Sequence, residues 1–218
     1  MPQLGIHLIT GMINIWPKTS KSKFLKRGFL IGNIIPDLDF LPLMLTYKID
    51  RELAISFHRS FTHSIFIALV FVLIGFALKL KKPQLFYFLS ACGLGMFFHS
   101  FLDLFMWFAS VKIFWPLGHE YSIWRNIAVD DTLWNLMSSL ECAVYGIFIY
   151  IFHVLIKVTC TNMYKFLVLI LFLSSIILIL ASCRLSKVEF ELISYGTAII
   201  IGFIPSIYLI RKHWSLIV

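Results

Sequence analysis

Apolar runs dominate this sequence, and several are longer than a soluble core helix needs. Three in the C-terminal half, at about 132–156, 164–183 and 192–210, stay apolar through the window of ~19 residues that tests for a membrane span. Two more precede them, at about 62–80 and 84–108. The chain is 60% hydrophobic and 14% charged, whereas a soluble domain carries roughly 25% charged residues. A single core of 218 residues cannot hide that much apolar surface, so lipid must cover it. Two weaker stretches, 4–16 and 28–46, open the chain, and each contains His or Asp. They read as short, imperfect membrane helices joined by the basic loop Lys18–Arg27, with Pro17 ending the first. The expected fold is therefore all-α, a multi-pass transmembrane helical bundle of about seven apolar helices whose first two are short. Residues 1–125 form its polar-bearing region and 126–218 add further transmembrane helices, within one continuous membrane domain.

The net charge of +8 would suggest nucleic acid in a soluble protein. Here the basic residues sit in short clusters between apolar runs, which suits topology signals and anionic headgroups. No aromatic-interleaved basic patch or nucleic-acid module is present, so no nucleic-acid partner is expected. The loops near 18–27, 79–82, 157–165 and 211–212 hold 12 of the 19 Lys and Arg residues, and the opposite loops hold 7. The positive-inside rule places the first set in the cytoplasm. Cys92, Cys142, Cys160 and Cys183 form no CxxC and read as buried hydrophobes. No cleavable signal peptide is evident.

Ionisable side chains inside membrane helices are costly and imply function. This chain concentrates them at His7, Asp37, Asp39, His58, His63, His99 and Asp103, within the strings IIPDLDF, FHRSFTHS and HSFLD. At 1.5 Å rise per residue, His7 and Asp37 each lie roughly 16 Å from the first basic loop. His63 and His99 each lie roughly 24 Å from the 79–83 turn. Each hairpin thus brings its polar residues to a matched level, on the side away from the cytoplasmic turns. Packing alone does not explain seven such residues at one level.

His99 and Asp103 are i and i+4 and share a helix face, so they can chelate one ion, or the Asp can orient the His. His58 and His63 are expected to straddle a helix start, with Ser60 or Thr62 as N-cap. Pro36 disfavours helix at Ile35, so Asp37–Asp39 is expected to open the second helix and aim its carboxylates inward. Imidazole plus carboxylate without thiolate suits Zn, with Mn or Fe(II) as alternatives, as one or two divalent ions. Asp39 can serve as a ligand or a general base, and Arg59 can clamp an anionic oxygen of a phosphate or carboxylate.

The remaining candidates are weaker. His153 and His213 read as structural or interfacial, and His119 and Glu120 as part of a solvated 110–131 loop. Glu141 interrupts an apolar run. Gly93 and Gly95 suit close helix packing, and Trp115, Tyr121, Trp124 and Trp134 an interfacial belt.

The order of these strings resembles a family. His7, then Gly32 through Pro36-Asp37-Leu38-Asp39, then the string His58 to Ser64, then His99 to Asp103 and Trp115-Pro116, is similar to the YdjM-type inner-membrane proteins. The resemblance covers roughly residues 1–125. It implies a bacterial-type inner or plasma membrane, a membrane-bound metal-dependent hydrolase, and a distant relation to zinc-dependent phospholipase C and single-strand nucleases. A site near the headgroups on the non-cytoplasmic face suggests membrane lipids as partners and a lipid phosphodiester or phosphomonoester as substrate. A divalent-metal transporter or channel is the competing class, but it should show ligands in both halves of the bilayer and paired repeats. A non-catalytic protein stapled by its metal is the third reading, marked by a closed coordination shell.

Overall fold

A computed structural model describes residues 4–12, 21–39, 59–106, 110–124, 126–127, 130–156, 162–182, 190, 193–194 and 196–216. Among these residues the regular structure is helical, and an isolated bridge between Val111 and Tyr121 is the extended pairing it contains. The α-helices are α1 (Leu4–Gly11), α2 (Ser22–Gly32), α3 (Ile65–Leu78), α4 (Pro83–Met106), α5 (Asp131–Ile156), α6 (Asn162–Ser182) and α7 (Ile204–Lys212). Short 3-10 turns at Pro36–Asp39 and Phe61–His63 follow α2 and precede α3. By length and composition α4, α5 and α6 can each cross a membrane, and α3 is a shorter apolar helix.

The chain divides into two compact units. One comprises residues 10–128, the other 1–9 with 129–217, so the division falls inside α1. In the first unit α4 is the centre, with α2 along one side and α3 along another. Gly28 and Gly32 let α2 approach: a Cβ on either would collide with a backbone carbonyl of α4, at Phe88 and Cys92 respectively. The Gly28-x-x-x-Gly32 spacing is the small-residue pattern by which membrane helices pack closely. Gly95 answers from α4, against the carbonyl of Phe29, and Gly93 meets α3 at Ala68.

In the second unit α5 packs along α6. Glu141, the carboxylate that interrupts this apolar run, is 3% exposed and accepts the backbone N–H of Gly5 at 2.9 Å. This oxygen satisfies one of the open N–H groups at the start of α1, which gives the buried carboxyl a structural role. Ser175 and Ser182 on α6 meet α5 through Ser139 O at 2.7 Å and Asn135 Nδ2 at 3.4 Å. His153 lies against the Tyr164 ring and His213 Nε2 is 3.0 Å from the Tyr164 hydroxyl, as their structural reading requires.

Three local expectations change. The basic residues Lys23, Lys26 and Arg27 belong to the first turns of α2 rather than to a loop, since Lys and Arg are good helix formers. The helix expected over 28–46 breaks after Gly32, and Asp37 and Asp39 stand in a 3-10 turn; residues 40–46 lie outside the described residues. The apolar run 192–210 contains a π-helical segment, Ala198–Phe203, before α7, with Gly202 against the Tyr145 ring.

Candidate metal centre

The Pro36–Asp39 turn, the Phe61–His63 turn and the last turns of α4 meet in the first unit, and each contributes polar side chains. His99 and Asp103, one turn apart on α4, are 0% and 1% exposed. His63 is 0% exposed and Asp37 6%. These four each offer one ligand atom, and all four atoms lie within 4.8 Å of one another. His63 Nε2 is 3.2 Å from Asp103 Oδ2 and 3.2 Å from His99 Nε2. Asp37 Oδ1 stands 3.6 Å from His99 Nε2 and 3.9 Å from His63 Nε2. His99 Nε2 lies 3.7 Å from Asp103 Oδ2.

The outward nitrogens of both imidazoles decide what the inward ones can do. His99 Nδ1 is 2.8 Å from the carbonyl oxygen of Asn33, which can only accept, so Nδ1 carries a proton and donates it. His63 Nδ1 is 3.1 Å from Thr62 Oγ1, whose hydroxyl donates to Asp39 Oδ2 at 3.0 Å. The hydroxyl proton being used, Thr62 Oγ1 accepts from His63 Nδ1–H. In the neutral ring, each His then turns an Nε2 lone pair toward the other at 3.2 Å and toward two carboxylates. Such an array needs a cation, either a proton shared on one imidazole or a metal ion.

The geometry suits the metal. Ligands at ~2.0–2.1 Å around a tetrahedral ion stand about 3.3 Å apart; the His–His and His–carboxylate separations here are 3.2–3.9 Å, with all four atoms inside 4.8 Å. Outer partners on both imidazoles are also what metal-binding His residues require. The group Asp37, His63, His99 and Asp103 can hold a divalent ion.

Asp39 is not one of the four: its Oδ2 lies 3.6 Å from His63 Nδ1 and accepts the backbone N–H of Arg59 at 2.9 Å. His7 is fully buried on α1, in the other compact unit. His58 lies outside the described residues. Ser64, rather than Ser60 or Thr62, caps α3, accepting the Phe66 N–H at 3.2 Å. Thr62 is instead the link between His63 and Asp39.

Arg59 stands beside the centre. It is 6% exposed, its Nε is 4.0 Å from Asp103 Oδ2, and its Nε and Nη1 have no hydrogen-bond partner among the described residues. Its φ of 56° is in the left-handed region, a strained conformation for a side chain of this size. Two hydrogen bonds hold it there: its N–H goes to Asp39, and its carbonyl accepts the Lys112 N–H at 3.0 Å. The guanidinium is thus placed by backbone contacts on both sides, with donors left over for something else.

A family model, YdjM inner membrane protein, matches residues 3–190. The chain belongs to this family. The match includes the whole cluster and continues well into the second unit. Comparison with curated proteins and with solved structures gives no significant match.

Proposed function

We propose that this member of the YdjM inner membrane protein family is a membrane-bound, metal-dependent hydrolase of phosphate esters or phosphodiesters. The observation that carries the reading is the pair of Nε2 atoms 3.2 Å apart between two buried carboxylates, beside a buried guanidinium whose Nε and Nη1 have no hydrogen-bond partner among the described residues. A divalent ion held there, zinc or else manganese or iron, supplies a Lewis acid and brings the pKa of water toward neutrality. Asp37, His63, His99 and Asp103 bind that ion. Arg59 offers Nε–H and Nη1–H to a non-bridging oxygen of an anionic substrate, a charge-assisted contact worth more in a dry site than in water. Asp39 positions: it fastens the Arg59 backbone and, through Thr62, the His63 ring. A buried cation with unused donors also disfavours a neutral ester or amide as the substrate.

One observation favours the metal-staple reading. Four protein atoms would be enough to fill a tetrahedral ion's shell, as in structural sites, whereas catalytic zinc keeps one position open. A six-coordinate ion on the same four atoms keeps two positions open. The test loads purified protein with Zn, Mn or Fe(II) and follows p-nitrophenyl phosphate, bis(p-nitrophenyl) phosphate and a phospholipid in mixed micelles. Turnover that needs the metal and falls at least tenfold in Arg59→Lys supports the hydrolase. Stoichiometric metal with no turnover of any of the three makes the ion a staple.

A further inference from the structure

The loop at 110–124 was expected to be solvated; its His119 and Glu120 are exposed, and so are the apolar Phe114, Leu117, Tyr121 and Ile123. Val111 and Tyr121 exchange backbone hydrogen bonds at 2.9 and 3.0 Å and close the loop at its base. Its charged groups are used there: Glu120 accepts from Ser110 Oγ at 2.7 Å and pairs with Lys112 Nζ at 3.6 Å. Of its apolar side chains, Phe114, Tyr121, Ile123 and, most of all, Leu117 at 62% exposure face outward.

This apolar surface continues onto the membrane helices. The Phe114 ring is 6.4 Å from that of Phe66, exposed on the first turn of α3, and Trp124 Nε1 donates to the carbonyl of Phe105 at 2.8 Å. The α4 span Pro83–Phe105 has 23 residues. That is roughly 34 Å of helix against a hydrocarbon core of ~30 Å, so its end at Phe105 reaches the headgroup boundary. Trp124 fixes the loop at that level. Asp103 and His99 lie two and six residues before Phe105, roughly 3 and 9 Å deeper along the axis.

The same loop holds the site. Lys112 N–H donates to Arg59 O, Ile65 N–H donates to Ile113 O at 2.9 Å, and Ser64 Oγ–H donates to Trp115 O at 2.8 Å. Three hydrogen bonds thus tie the loop to the segment that carries Arg59 and His63.

We propose that the 110–124 loop lies within the interfacial layer of the bilayer, with Leu117 among the lipids, and that the metal centre takes its anionic ligand from the lipid phase as a lipid phosphate. The second clause rests on the hydrolase reading, and the first does not. Lipid is the occupant that fits: the loop's exposed apolar side chains adjoin the apolar surfaces of α3 at Phe66 and α4 at Phe105, while His119 and Glu120 are exposed beside them, the mixture of aromatic, apolar and polar groups that suits the headgroup layer.

The test replaces Leu117 by photoreactive benzoylphenylalanine in the otherwise unchanged chain, a position exposed enough to accept it. The protein is reconstituted in nanodiscs of phosphatidylethanolamine and phosphatidylglycerol, irradiated and weighed by intact-mass spectrometry. Adducts carrying one phospholipid mass as the main product are expected. A covalent dimer as the main product, or no adduct, overturns the placement and makes this face a contact between copies or a water-exposed surface. If that variant does not purify, the same probe at Ile123 reads the same layer. The supply clause is read from turnover: phosphatidic acid in nanodiscs should be hydrolysed at least tenfold faster than glycerol phosphate in solution. Equal rates overturn lipid supply. Failure to turn over either compound removes the hydrolase reading and the supply clause together, while the crosslink still decides where the loop lies.

Discussion

His99 Nδ1 donates to the backbone carbonyl of Asn33 at 2.8 Å, so a helix end on α2 sets the tautomer of a buried imidazole on α4. The acceptor is main chain, and no substitution of the Asn33 side chain can remove it. What positions it is the approach of α2 to α4 at Gly28 and Gly32.

Gly32→Val should therefore act on the metal centre without touching it. The added Cβ meets the Cys92 carbonyl and forces the helices apart. Overpacking of this kind costs about 1–3 kcal/mol, and loss of an outer hydrogen bond to a ligand lowers metal affinity roughly 10–100-fold. Competition of the purified variant against a chromogenic chelator checks this. Affinity equal to that of the wild type would show that the Asn33 carbonyl is not needed.

Thr62 tests the other imidazole. In Thr62→Val the hydroxyl that accepts from His63 Nδ1 and donates to Asp39 is lost at nearly constant volume. Metal affinity should fall roughly 10–100-fold, and Thr62→Ser should restore it. The serine rescue is the decisive comparison, because a purely packing role for Thr62 would not be rescued by a smaller hydroxyl.

Arg59 separates stability from activity. Glycine adopts a φ of 56° freely, so Arg59→Gly removes strain of about 1–3 kcal/mol along with a buried charge. The variant should melt at a higher temperature than the wild type in detergent, keep its metal, and lose turnover of phosphate esters. Arg59→Lys keeps a positive charge but neither the planar fork nor the relief, and should be poorer than wild type in both respects. Retained turnover in the glycine variant would exclude the guanidinium from substrate binding.

Glu141 belongs to a different argument. Removing its carboxylate in Glu141→Ala leaves the Gly5 N–H without its acceptor, a loss of about 1–3 kcal/mol. Glu141→Gln keeps an oxygen acceptor and should recover most of it. Thermal melts in detergent read both. An alanine variant as stable as wild type would mean that the contact contributes nothing.

Much of this was legible in the sequence, for reasons that particular residues make plain. His99 and Asp103 are one helical turn apart, and an i, i+4 pair declares its common face without any tertiary knowledge. His63 and Asp37 stood out because ionisable groups in apolar runs need a partner. The division of labour between Asp37 and Asp39 was not legible. Two residues apart in a Pro-Asp-Leu-Asp string, they are chemically equal, and only the 3-10 turn sends one to the ligand group and the other to the Arg59 N–H. The cap of α3 was misassigned for a similar reason, since Ser60, Thr62 and Ser64 are all good caps and tertiary contacts choose among them. The Gly28–Gly32 spacing was present to be read, but its value depends on which helix lies opposite. His119 and Glu120, the basis for reading the 110–124 loop as solvated, are exposed. Sequence could not show that Glu120 is spent on Ser110 and Lys112 while Leu117 faces out.

The most direct test of the central claim is the metal content of detergent-purified protein by elemental analysis, wild type beside His63→Ala and His99→Ala, with Glu141→Gln as the control. The account predicts close to one divalent ion or more per wild-type chain, the same in Glu141→Gln, and at least a tenfold loss in both histidine variants. Wild-type protein that stays metal-free after loading, or histidine variants that keep their full complement, would contradict it. The four side chains would then be a proton-bridged polar network, with His63 or His99 carrying the charge.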